Sequence, residues 1–402
     1  MTALVFNCYY NGLAIIRELG RRGVTVYALD NCRSVGTFSR YGRYLPCPDP
    51  QVAESAFINF LINLGPSYDN KPVLFPTNDH WAVAIARHKE KLSQFYHPCV
   101  AARETVELII EKHRFYNWAI SRGYPVPRSW RGSATQDIPD RAFPLAAKPE
   151  YRRISSNDPE IKKQAKVMDK LRLNVIRDRK ELVEYITKYR KLLSGLLLQE
   201  YVEGMSDCMY TIGVYANHYH EVLGMFTGRK VRGFPPDVGD CVVGQIEQVP
   251  EELKTMVKKI CREIQYQGIA EFEFKKDSVS GEFKLIEINP RSWSWVGITP
   301  YCGVSLPWLA YCDLTGNSPV KYQESDLPDG SVKWVKIIDD FANCLFNNRR
   351  TGYSQWSMSF KQWRKSLRAN QLVKAEFAPD DPMPALVATY MIIKKSIDRL
   401  LL

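Results

Sequence analysis

The chain has 402 residues, of which 45% are hydrophobic, 25% charged and 12% aromatic, with a formal net charge of +11. That length allows two or three domains with a sizeable core, and the composition is globular, which excludes a fibrous or disordered chain. The charge suits anionic small molecules, a membrane surface or nucleic acid, but no Lys/Arg run interleaved with aromatics, no helix-turn-helix and no zinc-finger spacing argues for nucleic acid, and no apolar run approaches a transmembrane segment.

The ten cysteines are scattered with no CxxC pair, so reduced thiols in a cytoplasmic protein are expected rather than a disulfide or zinc framework. The opening MTALVFNCYYNG lacks a basic stretch followed by a long apolar run, and no signal peptide is expected.

Residues 3–6 read as a short buried strand, 11–20 as a helix with Leu13, Ile16 and Leu19 on one face, and 24–29 as a second strand ending at Asp30. This βαβ opening belongs to an open parallel sheet. A GxGxxG turn is absent, since Gly12 stands alone before the helix. Residues 73–76 read as another strand, and the Thr77-Asn78-Asp79 loop after it either faces a ligand or caps the helix expected over 80–92.

A further helix is expected over 104–122, containing Lys112, until Gly123-Tyr-Pro-Val-Pro127 breaks it. Residues 144–148 read as a strand ending at Lys148, and the basic, polar 151–170 as a mobile loop. After a helix over 178–193, GLLLQEYV (195–202) reads as a buried strand, in which Glu200 needs a partner that adenine's amino group can supply. Strands follow over 209–215 and 220–226. Residues 227–244 read as a loop whose Arg229, Lys230 and Arg232 suit a phosphate or an anionic substrate, or else solvent, and 250–266 as an amphipathic helix.

Residues 269–276 and 283–289 are rich in β-branched and aromatic residues around the turn residues 277–281, and so read as a hairpin. Alternation puts Glu271 and Glu273 on one side of the first strand, with Ala270, Phe272 and Phe274 opposite. On the second strand it puts Glu287 and Asn289 on one side together with Phe283 and Leu285, and Ile286 and Ile288 on the other. Carboxylates on a half-buried sheet need positive partners. Two carboxylates and an amide oxygen suit a hard divalent cation carrying nucleotide phosphates, and Arg291 follows where it can meet a phosphate.

The ordered set Lys112, Lys148, QEYVEGMSD (199–207), EFEF (271–274) and IEINPR (286–291) resembles the ATP-grasp enzymes. The resemblance covers about residues 1–318. It implies a mixed α/β and α+β architecture, in which a Rossmann-like pre-ATP-grasp domain (1–103) precedes an ATP-grasp domain (104–318) with a smaller lobe at about 125–203. Residues 319–402 form a C-terminal extension, expected to be partly helical. The resemblance implies nucleotide contacts at Lys112 and Lys148, an adenine hinge at Glu200, Tyr201 and Val202, and a ribose contact at Asp207. It also implies metal ligands Glu273, Glu287 and Asn289 for Mg²⁺, or Mn²⁺ in its place, and Arg291 on the transferred phosphate. Within the family the chain is similar to carboxylate–amine ligases of the D-aspartate ligase kind, supported by RKVRGFPPDVG (229–239), which brings Lys230 and Arg232 into the candidate catalytic set.

The activity implied joins a small-molecule carboxylate to an amine through an acyl-phosphate, releasing ADP and phosphate. An enzyme phosphorylating bicarbonate, of the biotin-carboxylase or carbamoyl-phosphate kind, and a non-catalytic ATP sensor are the alternatives. The loop after Lys148 departs from the family's glycine-rich pattern, with Tyr151-Arg-Arg153 and Ser155-Ser156 in its place; 151–166 is the expected lid. In 385–402, an apolar stripe of Leu386, Tyr390, Ile393, Ile397 and Leu400 suits packing on the protein or on a second copy in a homodimer.

Overall fold

The computed structural model describes residues 2–150, 173–190, 192–237, 239–316 and 321–400. The βαβ opening is present as β1 (Thr2–Phe6), α1 (Tyr10–Arg21) and β2 (Thr25–Asp30). After β3 (Arg43–Pro46) and α2 (Pro50–Leu64), the chain crosses to the other side of β1 for β4 (Val73–Pro76). The result, with β5 (His97–Pro98), is a parallel sheet in the order β3-β2-β1-β4-β5. The strand order reverses between β1 and β4, so a crevice opens at their C-terminal ends.

Both long helices expected between residues 80 and 122 are broken. α3 (Asp79–Arg87) and α4 (Lys89–Leu92) meet at His88, whose φ/ψ of −114°/18° is not helical. α5 (Arg103–Ile110) and α6 (Lys112–Ser121) meet at Glu111, with ψ of 89°. The second break makes Lys112 the first residue of a new helix and aims it toward the hairpin.

β6 (Ser129–Arg131), β7 (Leu145–Pro149), β8 (Asn174–Ile176) and β9 (Leu196–Glu200) form an antiparallel sheet in the order β6-β9-β7-β8. Its small core, including Leu145, Ala147, Ile176 and Leu198, is closed by Leu182 of α7 (Arg179–Lys188), which is shorter than the helix expected to residue 193. The expected lid, 151–166, lies outside the described residues.

The largest sheet is built from β10 (Met209–Ala216), β11 (Val222–Phe234), β12 (Asp240–Ile246) and, after α8 (Glu251–Glu263), the hairpin β13 (Gly268–Lys276) and β14 (Phe283–Asn289). Most of the loop expected over 227–244 is therefore strand: β11 runs on to Phe234 and β12 begins at Asp240. α9 (Leu306–Thr315) covers β10 and β11, and Gly224 of β11 leaves room for Leu306 and Leu309.

The C-terminal region continues this sheet rather than standing apart from it. β15 (Gln323–Glu324) pairs with β11, β16 (Val332–Val335) with β12, and β17 (Gln371–Lys374) with β16, giving the order β14-β13-β10-β11-β12-β16-β17. Between and after them lie α10 (Ile337–Ala342), α11 (Phe360–Ser366) and α12 (Met383–Leu400). Arg17 of α1 ties the segment to the N-terminal domain, donating from Nε to Asp381 at 2.9 Å and from its other nitrogens to the carbonyls of Ala375 and Glu376. On α12, Ala388 is buried while Leu386 and Tyr390 are 62% and 64% exposed, so the first part of the stripe does not pack on this chain. The side chains of Ile393, Ile397 and Leu400 lie outside the description. All ten cysteines are free thiols, and no helix among the described residues is long and apolar enough to cross a membrane.

Candidate active site

A cleft of about 660 Å³ is lined by residues from all three sheets, among them Asn7 and Thr77, Lys148 and Gln199, and Lys230, Glu273 and Glu287. The β13/β14 register sets Glu273 directly opposite Glu287 and Glu271 opposite Asn289, so three carboxylates and an amide share one face. The next pair is Phe274 with Leu285, which makes Ile286 an extra residue. This bulge overturns the expected parity beyond it: Leu285 is fully buried in the core with Phe272 and Phe274, and Ile286 lines the cleft instead. The hydroxyl of Tyr116, from α6, donates to the Ile286 carbonyl.

Each of the two opposed glutamates has an ammonium partner. Lys112 Nζ lies 2.9 Å from Glu287 Oε1, and Lys230 Nζ 2.9 Å from Glu273 Oε1. Burial alone would pull the Lys230 ammonium down; Glu273 and Glu271 outweigh it and hold the group above its ordinary range. Glu271, in contrast, is pushed up to about 8, first by burial and then by Glu273. Its oxygens accept from Thr211 Oγ1 at 3.0 Å and Asn289 Nδ2 at 2.9 Å. Asn289 Oδ1 accepts from Arg291 Nη2 at 3.1 Å, and Arg291 Nε donates to Asp79 Oδ1 at 2.8 Å. The loop after β4 caps a helix and borders the cleft. Asn78 caps α3 through the amide of His80, while Thr77 and Asn78 line the cleft.

On the facing sheet, Lys148 Nζ donates to Gln199 Oε1 at 2.8 Å and to Tyr116 Oη at 3.1 Å. Gln199 Nε2 and Trp293 Nε1 are buried donors on cleft-lining side chains with no hydrogen-bond partner among the described residues. Each costs about 1–3 kcal/mol until an acceptor arrives. Tyr201 and Val202 line the cleft beyond β9, with the Lys275 ammonium 4.8 Å from the Tyr201 ring centroid.

Three expected site residues sit differently. Glu200 lines the cleft, but its carboxylate already has a partner, accepting from Arg128 Nε at 2.7 Å and from the Arg128 amide at 3.0 Å. Asp207 is outside the lining, although its neighbours Ser206 and Met209 belong to it; Asp237 and Asp240 line the cleft instead, and Asp237 accepts from Tyr353 Oη at 2.5 Å. Arg232 points away from the cleft, and both arms of its guanidinium donate to the fully buried Asp340 at 2.7 Å.

Sequence reasoning also passed over Asn7, Asn11 and Lys336, which line the same cleft. The available signal was Asn7, a polar residue ending an apolar strand; it takes a φ of 55°, a left-handed value that asparagine tolerates.

Among the described residues no three His, Cys, Asp or Glu side chains form a ready-made metal cage. Two opposed carboxylates and a neighbouring amide nonetheless fit a hard divalent cation whose remaining ligands are phosphate oxygens and water.

No family model matches the chain. Its fold is that of the ATP-grasp proteins. N5-carboxyaminoimidazole synthetase from Staphylococcus aureus complexed with ADP superposes with a TM-score of 0.60 at 14% identity, over 87% of this chain and 86% of that one. L-amino acid ligase from Bacillus licheniformis superposes with a TM-score of 0.54 at 18% identity, over 78% and 74%. In sequence the chain is similar to D-aspartate ligase of Enterococcus faecium (strain Aus0004), 26% identical over 266 residues, which make up 62% of this chain. The chain matches 60% of the length of that relative.

Proposed function

We propose that this protein is an ATP-dependent ligase that joins a carboxylate to an amine and releases ADP and phosphate. The observation that carries the reading is the opposition of Glu273 and Glu287 across β13 and β14, with Asn289 and Arg291 following. When bound, ATP would supply the phosphoryl group, with Mg²⁺ or Mn²⁺ on Glu273, Glu287 and Asn289 neutralising its phosphates. Lys112 and Lys230 pair with the two glutamates and can turn to phosphate oxygens once those carboxylates are otherwise engaged. Lys148 adds positive charge from the facing sheet, and Gln199 Nε2 is a buried donor beside it.

A carboxylate is a poor acyl donor because its leaving group is oxide. Phosphorylation supplies a good one, after which the amine attacks and phosphate departs. The chain's contribution is positioning and charge neutralisation. Arg291, braced by Asp79 and Asn289, would neutralise the transferred phosphoryl group beside the acceptor carboxylate. Similarity to a relative named D-aspartate ligase supports an amino acid or a peptide-like compound as a substrate and favours amine transfer over bicarbonate activation. A supply of ATP and ten free thiols suit the cytoplasm.

The test screens acid and amine pairs for phosphate release, with hydroxylamine as a trap for the activated acid. Release of ADP and a hydroxamate supports the reading. AMP and pyrophosphate without ADP, from a confirmed pair, overturn it, as does tight ATP binding by calorimetry that does not respond to Mg²⁺.

A further inference from the structure

Lys336 follows β16 and brings the C-terminal segment into the cleft; among the described residues it is the only lining residue from beyond α9. It is 8% exposed. Its surroundings differ from those of the other buried lysines described above. Lys112 and Lys230 each meet a glutamate at 2.9 Å. Lys336 meets no carboxylate within salt-bridge distance among the described residues; its ammonium lies 5.3 Å from the ring centroid of Tyr10 and 6.0 Å from that of Trp334. A nearly buried ammonium is costly without an anion, and contact with aromatic faces recovers only part of that cost.

Two acidic groups, Asp339 and Glu376, lie nearby, and neither is within salt-bridge distance of its ammonium among the described residues. Asp339 belongs to the first turn of α10. Glu376 is fully buried, with Oε2 accepting from the Ile337 amide at 3.2 Å and Oε1 without a partner among the described residues. Burial lifts this carboxyl to about 7, with Asp339 adding to the shift and Lys336 opposing it.

Lys336 is also held firmly. Its amide donates to the Val242 carbonyl at 2.9 Å, and four residues on Asp340 is clamped by Arg232. Its strand, β16, is four places from β13 in the sheet order. At about 4.8 Å per strand, its backbone lies roughly 19 Å along the sheet from that of Glu273.

We propose that Lys336 binds an anionic group of a substrate, a carboxylate or a phosphate distant from the carboxylate that is activated, and that the C-terminal segment is thereby part of the substrate site. The inference rests on the ligase reading only in taking this cleft as the substrate site. It makes one of the two substrates at least doubly functional, with a reacting group near Arg291 and an anion at Lys336.

Calorimetry on the full chain saturated with MgADP tests it, titrating glutarate and, separately, 4-phosphonobutyrate. At least one of these should bind the wild type. Lys336→Met should weaken that binding about tenfold or more, Lys336→Arg should restore most of it, and the surface control Lys374→Met should leave it unchanged. MgADP affinity should be the same in all four proteins. Tighter binding of the phosphonate assigns the anion as a phosphate, and tighter binding of glutarate as a carboxylate. If neither anion binds the wild type, or if Lys336→Met binds as tightly, the proposal is overturned. Failure of MgADP itself to bind would count against the ligase reading alone, since the same titrations without nucleotide still decide the role of Lys336.

Discussion

Lys230 and Arg232 stand two residues apart on β11, both basic and both buried, yet they serve opposite sides of the sheet. Lys230 meets Glu273 in the cleft; Arg232 meets Asp340 behind it. In a regular strand, residues two apart share a face. Here Lys230 pairs with Gly244 and Arg232 with Val243, so Val231 is an extra residue and the strand turns over between them. Val231 then packs with Val243, Val335 and Trp363, on the side where Arg232 finds Asp340. Residue type does not separate a cleft lysine from a structural arginine. The bulge does, by choosing the partner.

The largest effect expected is on the cleft side. Glu287→Gln keeps the shape of the side chain and removes one charge and one oxygen ligand. ADP release should fall about 100-fold or more, with the melting temperature changed by only a few degrees. A variant that folds and turns over normally would remove Glu287 from the metal set and weaken the contrast with it.

The other face should respond in stability instead. Arg232→Met strands Asp340, fully buried, with Trp363 Nε1 at 2.8 Å as its remaining side-chain donor of the nitrogen type. Breaking a buried pair in this way costs about 3–5 kcal/mol. Arg232→Met/Asp340→Leu should recover much of it, because both charges then leave the interior. Lys230→Met should cost less in urea denaturation and more in turnover, since Glu273 opens onto the cleft. Equal losses of stability in the two single variants would erase the distinction drawn from the bulge.

Where backbone periodicity is regular, the sequence is a sufficient guide. The parallel N-terminal sheet, the strand holding Gln199 and Glu200, and the shared faces of Glu271 with Glu273 and of Glu287 with Asn289 follow from apolar runs and alternation. Three kinds of feature were illegible. Bulges at Val231 and Ile286 add one residue without any change in residue type, and every assignment of face beyond them reverses. Pairings across long separations, such as Glu200 with Arg128 or Arg17 with Asp381, depend on how sheets are brought together. The C-terminal strands β15, β16 and β17 have two to four residues each, too short for periodicity to register.

Glu376 extends the contrast to pH. Its carboxyl is lifted from an ordinary 4.5 to about 7, chiefly by burial. The folded state therefore holds this proton more tightly than the unfolded chain does. The resulting stability is complete below the unfolded value and is lost as pH rises through 7, amounting to about 3 kcal/mol. Between pH 5 and pH 8 the wild type should lose stability relative to Glu376→Gln, which keeps the hydrogen-bonding shape and cannot ionise. Parallel stability curves for the two proteins would show that Glu376 is ionised at both ends of the range.

The smallest effect tests the same rule on β9, where Gln199 and Glu200 are adjacent and so face opposite ways. Gln199 is buried, accepts from Lys148 and keeps an Nε2 without a partner among the described residues. Glu200 is half-buried and committed to Arg128, whose side chain is 48% exposed. An exposed pair of this kind is worth about 0–1 kcal/mol. Glu200→Gln should therefore leave ATP affinity within about threefold of wild type and cost under about 1 kcal/mol of stability. Gln199→Leu should weaken ATP binding more, because it removes a buried donor from the cleft and leaves Lys148 without that acceptor. Calorimetric titration of both variants with MgATP ranks them directly. If Glu200→Gln is the more damaging of the two, the glutamate acts on the nucleotide after all, and its pairing with Arg128 must open when ATP binds.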